Sequence, residues 1–83
     1  HMEQSVDFAK TVQKEMVTTA GRHDAGVLHA NFAVLRLTYT PSVLLEVGYI
    51  STPSEETFLM SQNGRKILAK SIYNAIIKYM NAL

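Results

Sequence analysis

The stretch that decides how this chain is read runs Pro41-Ser-Val-Leu-Leu-Glu46-Val-Gly-Tyr-Ile-Ser-Thr52-Pro-Ser-Glu-Glu56. Its first half sets one carboxylate, Glu46, among Val43, Leu44, Leu45, Val47, Tyr49 and Ile50. A near-continuous apolar run over Val43 to Val47 predicts a strand covered on both faces. A charged side chain among buried neighbours is either paired or has chemistry to perform. Burial raises a carboxylate's pKa toward the range where it takes and returns protons near neutral pH. Glu46 is therefore the first candidate catalytic residue. Gly48, two positions on, lets the chain bend or approach a ligand closely.

The second half announces a helix. Thr52-Pro53-Ser54-Glu55 fits a capping box, with Thr52 at the N-cap, Pro53 at the first helical position and Glu55 reaching back. Glu55 and Glu56 also suit the positive end of the helix dipole. This helix is expected to end near Met60, with Ser61 to Gly64 breaking or re-capping it. A last helix follows, from Gln62 or Arg65 to Asn81. Its predicted buried stripe is Leu68, Ile72, Ala75, Ile76 and Tyr79.

Upstream, Phe32 to Leu37 is β-prone and reads as a strand, and Thr38 to Ser42 as a turn. Arg22 to Gly26 is polar and reads as a loop. Gln4 to Ala20 reads as a helix capped by Ser5 and closed by Gly21. Phe8, Ala9, Val12, Met16 and Thr19 recur along one of its faces. The expected order is helix, strand, strand, helix, helix. Two strands make a poor sheet alone, so this α/β pattern predicts the second part of a larger layered domain whose first strands are missing, the alternative being a complete small α+β domain. His1-Met2 reads as a tag remnant, leaving 3–83 as the domain portion. A fragment with open strand edges is expected to self-associate.

Composition narrows the function classes. With 83 residues, 47% of them apolar, the chain is a small globular unit with a modest core. Its net charge of +1 comes from interspersed signs, and there is no basic stripe, which argues against nucleic acid as the main partner. No apolar run approaches the ~18 residues that would cross a bilayer. Cysteine is absent, which excludes disulfides and thiolate zinc sites.

Asn31-Phe-Ala-Val-Leu-Arg36, followed by the Pro41 to Glu56 block, resembles the C-terminal part of zinc-dependent N-acetylmuramoyl-L-alanine amidases of the amidase type 3 family. The family pattern reads ANFxVLR, a short gap, PSxLVExGFISNPxEE and then an amphipathic helix. The resemblance spans about residues 4 to 81. It implies a mixed sheet flanked by helices and a peptidoglycan hydrolase of the cell envelope, periplasmic or secreted. Such an enzyme cleaves the amide between N-acetylmuramic acid and the L-alanine of the stem peptide. The resemblance also implies a zinc held by two His and one Glu, and a second Glu acting as general base. Glu46 stands at the position of that second Glu. The family's zinc ligands lie earlier in its sequence and no residue here matches them, so the chain alone is expected to be inactive. Thr52 replaces the family's Asn, and both are good N-caps.

Other candidates are weaker. His23, Asp24 and His29 could in principle form a three-ligand metal set, but they read more simply as solvated loop residues. His29 does not fall in register with the family's second His. Arg36 is a candidate contact for a stem-peptide carboxylate, or simply a half-exposed strand position. Tyr49 is a candidate stacking surface for sugar. The alternative to an amidase fragment is a non-catalytic α/β module that docks a partner.

Overall fold

A computed structural model describes residues 2–24, 26–27, 39–49 and 51–83. Three helices account for most of these residues: α1 (Met2–Thr18), α2 (Pro53–Met60) and α3 (Gln62–Asn81). No strand and no sheet occur among the described residues, so the α/β helix-strand-strand-helix-helix expectation is corrected to an all-helical arrangement. The expected strand at Phe32 to Leu37 lies outside the described residues. The expected strand at Val43 to Val47 is irregular backbone.

The reason is visible in the hydrogen bonds. A strand needs a neighbouring backbone to pair with, and among the described residues side chains meet the ends of this run instead. The Ser42 N–H donates to Ser5 Oγ at 2.8 Å, the Val47 carbonyl accepts from Arg22 at 3.4 Å, and the Tyr49 N–H donates to Glu55 Oε2 at 3.3 Å. Val43, Leu45 and Val47 are half-buried, whereas Leu44 and Glu46 are exposed. The run is thus covered on one face, against the helices, and open on the other.

The core lies between α1 and α3. Val12 and Met16 of α1 and Leu68 and Ala75 of α3 are buried, and Phe8, Leu45, Val47, Phe58 and Ile72 pack around them. The phenyl ring of Phe8 meets Tyr79 with ring centroids 4.8 Å apart, a distance at which aromatic pairs add to simple burial. The α3 stripe differs from the expected one. Its buried positions are Gly64, Leu68, Ser71 and Ala75, while Ile76 is 39% exposed. Small residues at 64, 71 and 75 let neighbouring chain come close to α3. The fully buried Ser71 keeps its hydroxyl satisfied by donating to the Ile67 carbonyl at 2.9 Å.

Caps account for the element boundaries. Helix α1 begins at Met2, so Ser5 sits inside it and receives the Ser42 N–H instead of capping. Gly21, at φ +64°, turns the chain out of α1, and the Arg22 N–H closes on the Met16 carbonyl at 2.9 Å. Thr52 does occupy the N-cap of α2, but its side chain makes no capping bond. Ser61 closes α2 and opens α3 together. Its N–H reaches the Thr57 and Phe58 carbonyls, and its hydroxyl accepts from the Gly64 N–H at 2.9 Å.

One buried charge holds α1 to α3. Glu15 is 2% exposed. It accepts from Lys78 Nζ at 2.5 Å and from the Thr19 hydroxyl at 2.7 Å. These bonds, that from Lys78 foremost, hold its carboxyl below the ordinary value of 4.5. A carboxyl depressed on folding stabilises the folded state fully above its unfolded value, and that stability is lost as pH falls through the folded value. Thermal midpoints are therefore expected to fall as pH drops below about 4.5, and Glu15→Gln is expected to flatten that acid limb. An acid limb as steep in Glu15→Gln as in the wild type would remove Glu15 as its source.

Candidate functional site

The Val43 to Gly48 segment lies over α1, and between them is a groove of about 580 Å³ lined in part by Ala9, Gln13, Leu45, Glu46 and Tyr49. Pockets for small ligands fall in this size range. Glu46 stands at its edge with an exposed side chain, so the burial expected of it is not found. Its Oε2 accepts a hydrogen bond from the Tyr49 hydroxyl at 3.2 Å. The Glu46 charge, together with this bond, raises the Tyr49 pKa above its ordinary 10.0. Tyr49 is therefore a protonated donor throughout the neutral range, and its ring, 61% exposed, presents a face to solvent.

Two further residues brace this segment. Glu55, which the sequence pattern assigns to a capping box, instead bridges outward from α2. Its Oε2 accepts from the Tyr49 N–H and its Oε1 faces Arg22 at 3.5 Å. Arg22 also reaches the Val47 carbonyl, and its guanidinium lies 4.3 Å from the centre of the Phe58 ring, within cation–π range. Neither role is legible in the sequence, because the partners of Arg22 lie 25 and 33 residues away.

Gly48 leaves the approach of Arg22 uncrowded. Its φ of +145° is one that other residues rarely adopt, and a Cβ placed on it would lie 3.1 Å from Arg22 Nη2.

The remaining sequence candidates divide. Arg36 and His29 lie outside the described residues. His23 and Asp24 are exposed, and Asp24 Oδ1 accepts from Gln13 Nε2 at 2.7 Å and from the Gly26 N–H at 3.0 Å. Among the described residues no three His, Cys, Asp or Glu side chains come together as a metal-binding group. These residues therefore do not fit the zinc that the family resemblance implies. Among the same residues no helix is long and apolar enough to cross a membrane.

A family model described as N-acetylmuramoyl-L-alanine amidase matches residues 1–78. The chain belongs to that family. It is 38% identical over 74 residues to N-acetylmuramoyl-L-alanine amidase AmiC of Neisseria meningitidis serogroup B, an alignment that covers 89% of this chain and 18% of the relative. It is 39% identical over 72 residues to the probable cell wall amidase LytH of Staphylococcus aureus, covering 87% of this chain and 23% of the relative. The chain thus spans about a fifth of the length of these curated relatives. No solved structure matches it.

Proposed function

We propose that this chain is the part of a peptidoglycan amidase that carries its general base, Glu46. The observation that supports this most directly is the pairing of Glu46 with Tyr49 at the rim of a groove, within the block that resembles the family's catalytic Glu motif. An exposed carboxylate is reachable by water and by an extended substrate. In this reading Glu46 accepts the proton of the water that attacks the carbonyl of the lactyl–alanine amide. It then delivers that proton to the amine nitrogen as the C–N bond breaks, so that one base serves both half-steps. Tyr49 donates to one oxygen of Glu46 and offers its ring to the sugar, and Arg36 meets a carboxylate of the stem peptide.

A zinc of the kind this family uses would be held by side chains outside the described residues and would supply Lewis-acid polarisation of the amide carbonyl. The substrate is peptidoglycan, which places the working enzyme outside the cytoplasm, and 3–83 is a portion of its catalytic domain.

The reading is tested with the whole product of the gene on purified cell-wall sacculi. Release of new amino groups, without new reducing ends, is the expected result. Release of reducing ends alone would mean that a sugar linkage is cut, and would contradict it.

A further inference from the structure

Arg22 stands at the centre of the contacts around the Glu46 segment. It is one-fifth exposed and bridges three parts of the fold. Its Nη2 reaches the Val47 carbonyl at 3.4 Å and Glu55 Oε1 at 3.5 Å, while its guanidinium lies over Phe58. Glu55 in turn accepts from the Tyr49 N–H, and the Tyr49 hydroxyl donates to Glu46. Glu46 thus stands just before two held positions of its segment. The carbonyl of the next residue is fixed by Arg22, and its own hydrogen-bond donor is fixed by Glu55.

We propose that Arg22 is a positioning residue that sets the orientation of the Glu46 carboxylate. The inference rests on the reading of Glu46 as general base. Among the described residues no ladder pairs the irregular backbone of 41–49, and Arg22 supplies a restraint there. Gly48 supports the assignment, because a Cβ there would crowd Arg22 Nη2 at 3.1 Å. Phe58 and Glu55 tie the guanidinium to α2, so that the end of α1, the Glu46 segment and α2 share one cation. Lysine cannot reproduce this. A compact ammonium lacks the planar face that stacks on Phe58.

The test uses the whole gene product, with kcat and KM measured on a soluble muropeptide for Arg22→Lys, Arg22→Ala and Glu46→Gln. A displaced catalytic group costs rate rather than ground-state binding, by up to ~10²-fold for about 1 Å. Arg22→Ala is expected to lower kcat by roughly that factor with KM changed less than about twofold. Arg22→Lys is expected to fall between Arg22→Ala and the wild type, with its thermal midpoint close to wild type. Should Arg22→Ala fail to fold, the Arg22→Lys split between kcat and KM decides the matter alone. A wild-type kcat in Arg22→Lys, or a loss confined to KM, would overturn the proposal. If Glu46→Gln is inactive while the Arg22 variants turn over normally, Arg22 is not positioning and the Glu46 reading stands. If Glu46→Gln also turns over normally, both fall.

Discussion

Glu46→Gln in the whole gene product is expected to lower amide hydrolysis by ~10²–10⁴-fold, the usual worth of a positioned general acid–base group. The substitution keeps the shape of the side chain and removes its ability to hold a proton in transit. Glu46 is exposed, so the fold has no buried charge to lose there. The Tyr49 hydroxyl, 3.2 Å from Oε2, can still donate to the amide oxygen of glutamine. Circular dichroism and the thermal midpoint are therefore expected to match the wild type while turnover collapses. A variant that folds normally and turns over within a few-fold of wild type would take Glu46 out of the reaction.

Gly64→Ala is expected to be strongly destabilising, against the sign that helix propensity alone gives. Alanine inside a helix is favoured over glycine by about 1 kcal/mol. Yet a Cβ on Gly64 would lie 2.0 Å from the Phe58 carbonyl oxygen and 2.7 Å from Ser61 Oγ. The carbonyl is backbone, already engaged by the Ser61 N–H and hydroxyl, and cannot turn away without opening the corner between α2 and α3. Overpacking of this kind costs roughly 1–3 kcal/mol or more. Total stability for a chain of this size is only about 5–10 kcal/mol. A fall in the thermal midpoint on the order of 10 °C is expected. Ser61 then loses its place as cap to both helices, and α2, which carries Glu55 and Phe58, loses its anchor. An unchanged or raised midpoint would mean that α2 and α3 do not meet at this corner.

The helices were legible because their signals are local. The periodicity of Phe8, Val12 and Met16, the glycine at position 21, the proline at 53 and the serine at 61 each act within one or two turns, and all mark real faces or boundaries. The strand over Val43 to Val47 was not, because apolar β-branched sequence states only that backbone could be extended there. Whether it pairs depends on a neighbour. Among the described residues, the Ser5, Arg22 and Glu55 side chains meet the backbone at Ser42, Val47 and Tyr49, at the ends of that run.

Ile76 shows the same limit. It lies one position beyond the Leu68–Ser71–Ala75 face, although its spacing of eight residues from Leu68 fits a helical stripe. Glu15 was legible in principle, since it shares the face of Val12, Met16 and Thr19, but nothing local identifies Lys78 as its partner 63 residues away. At the site, Glu46 stood out as the odd residue in its run, although its exposure reverses the burial first inferred from its neighbours. Arg22 and Glu55 did not stand out, because a polar loop residue and a first-turn glutamate are ordinary in sequence. Only their contacts distinguish them.

The most direct single measurement is the mass of the products formed from one defined muropeptide by the whole gene product. Cleavage at the lactyl–alanine amide gives two species, the intact sugar with a free lactyl carboxylate and a stem peptide beginning at L-alanine with a free amino group. Those two masses are the expected result. Their absence, or a pair of masses that places the cut within the peptide or between sugars, would contradict the assignment of this chain to cleavage of the lactyl–alanine amide.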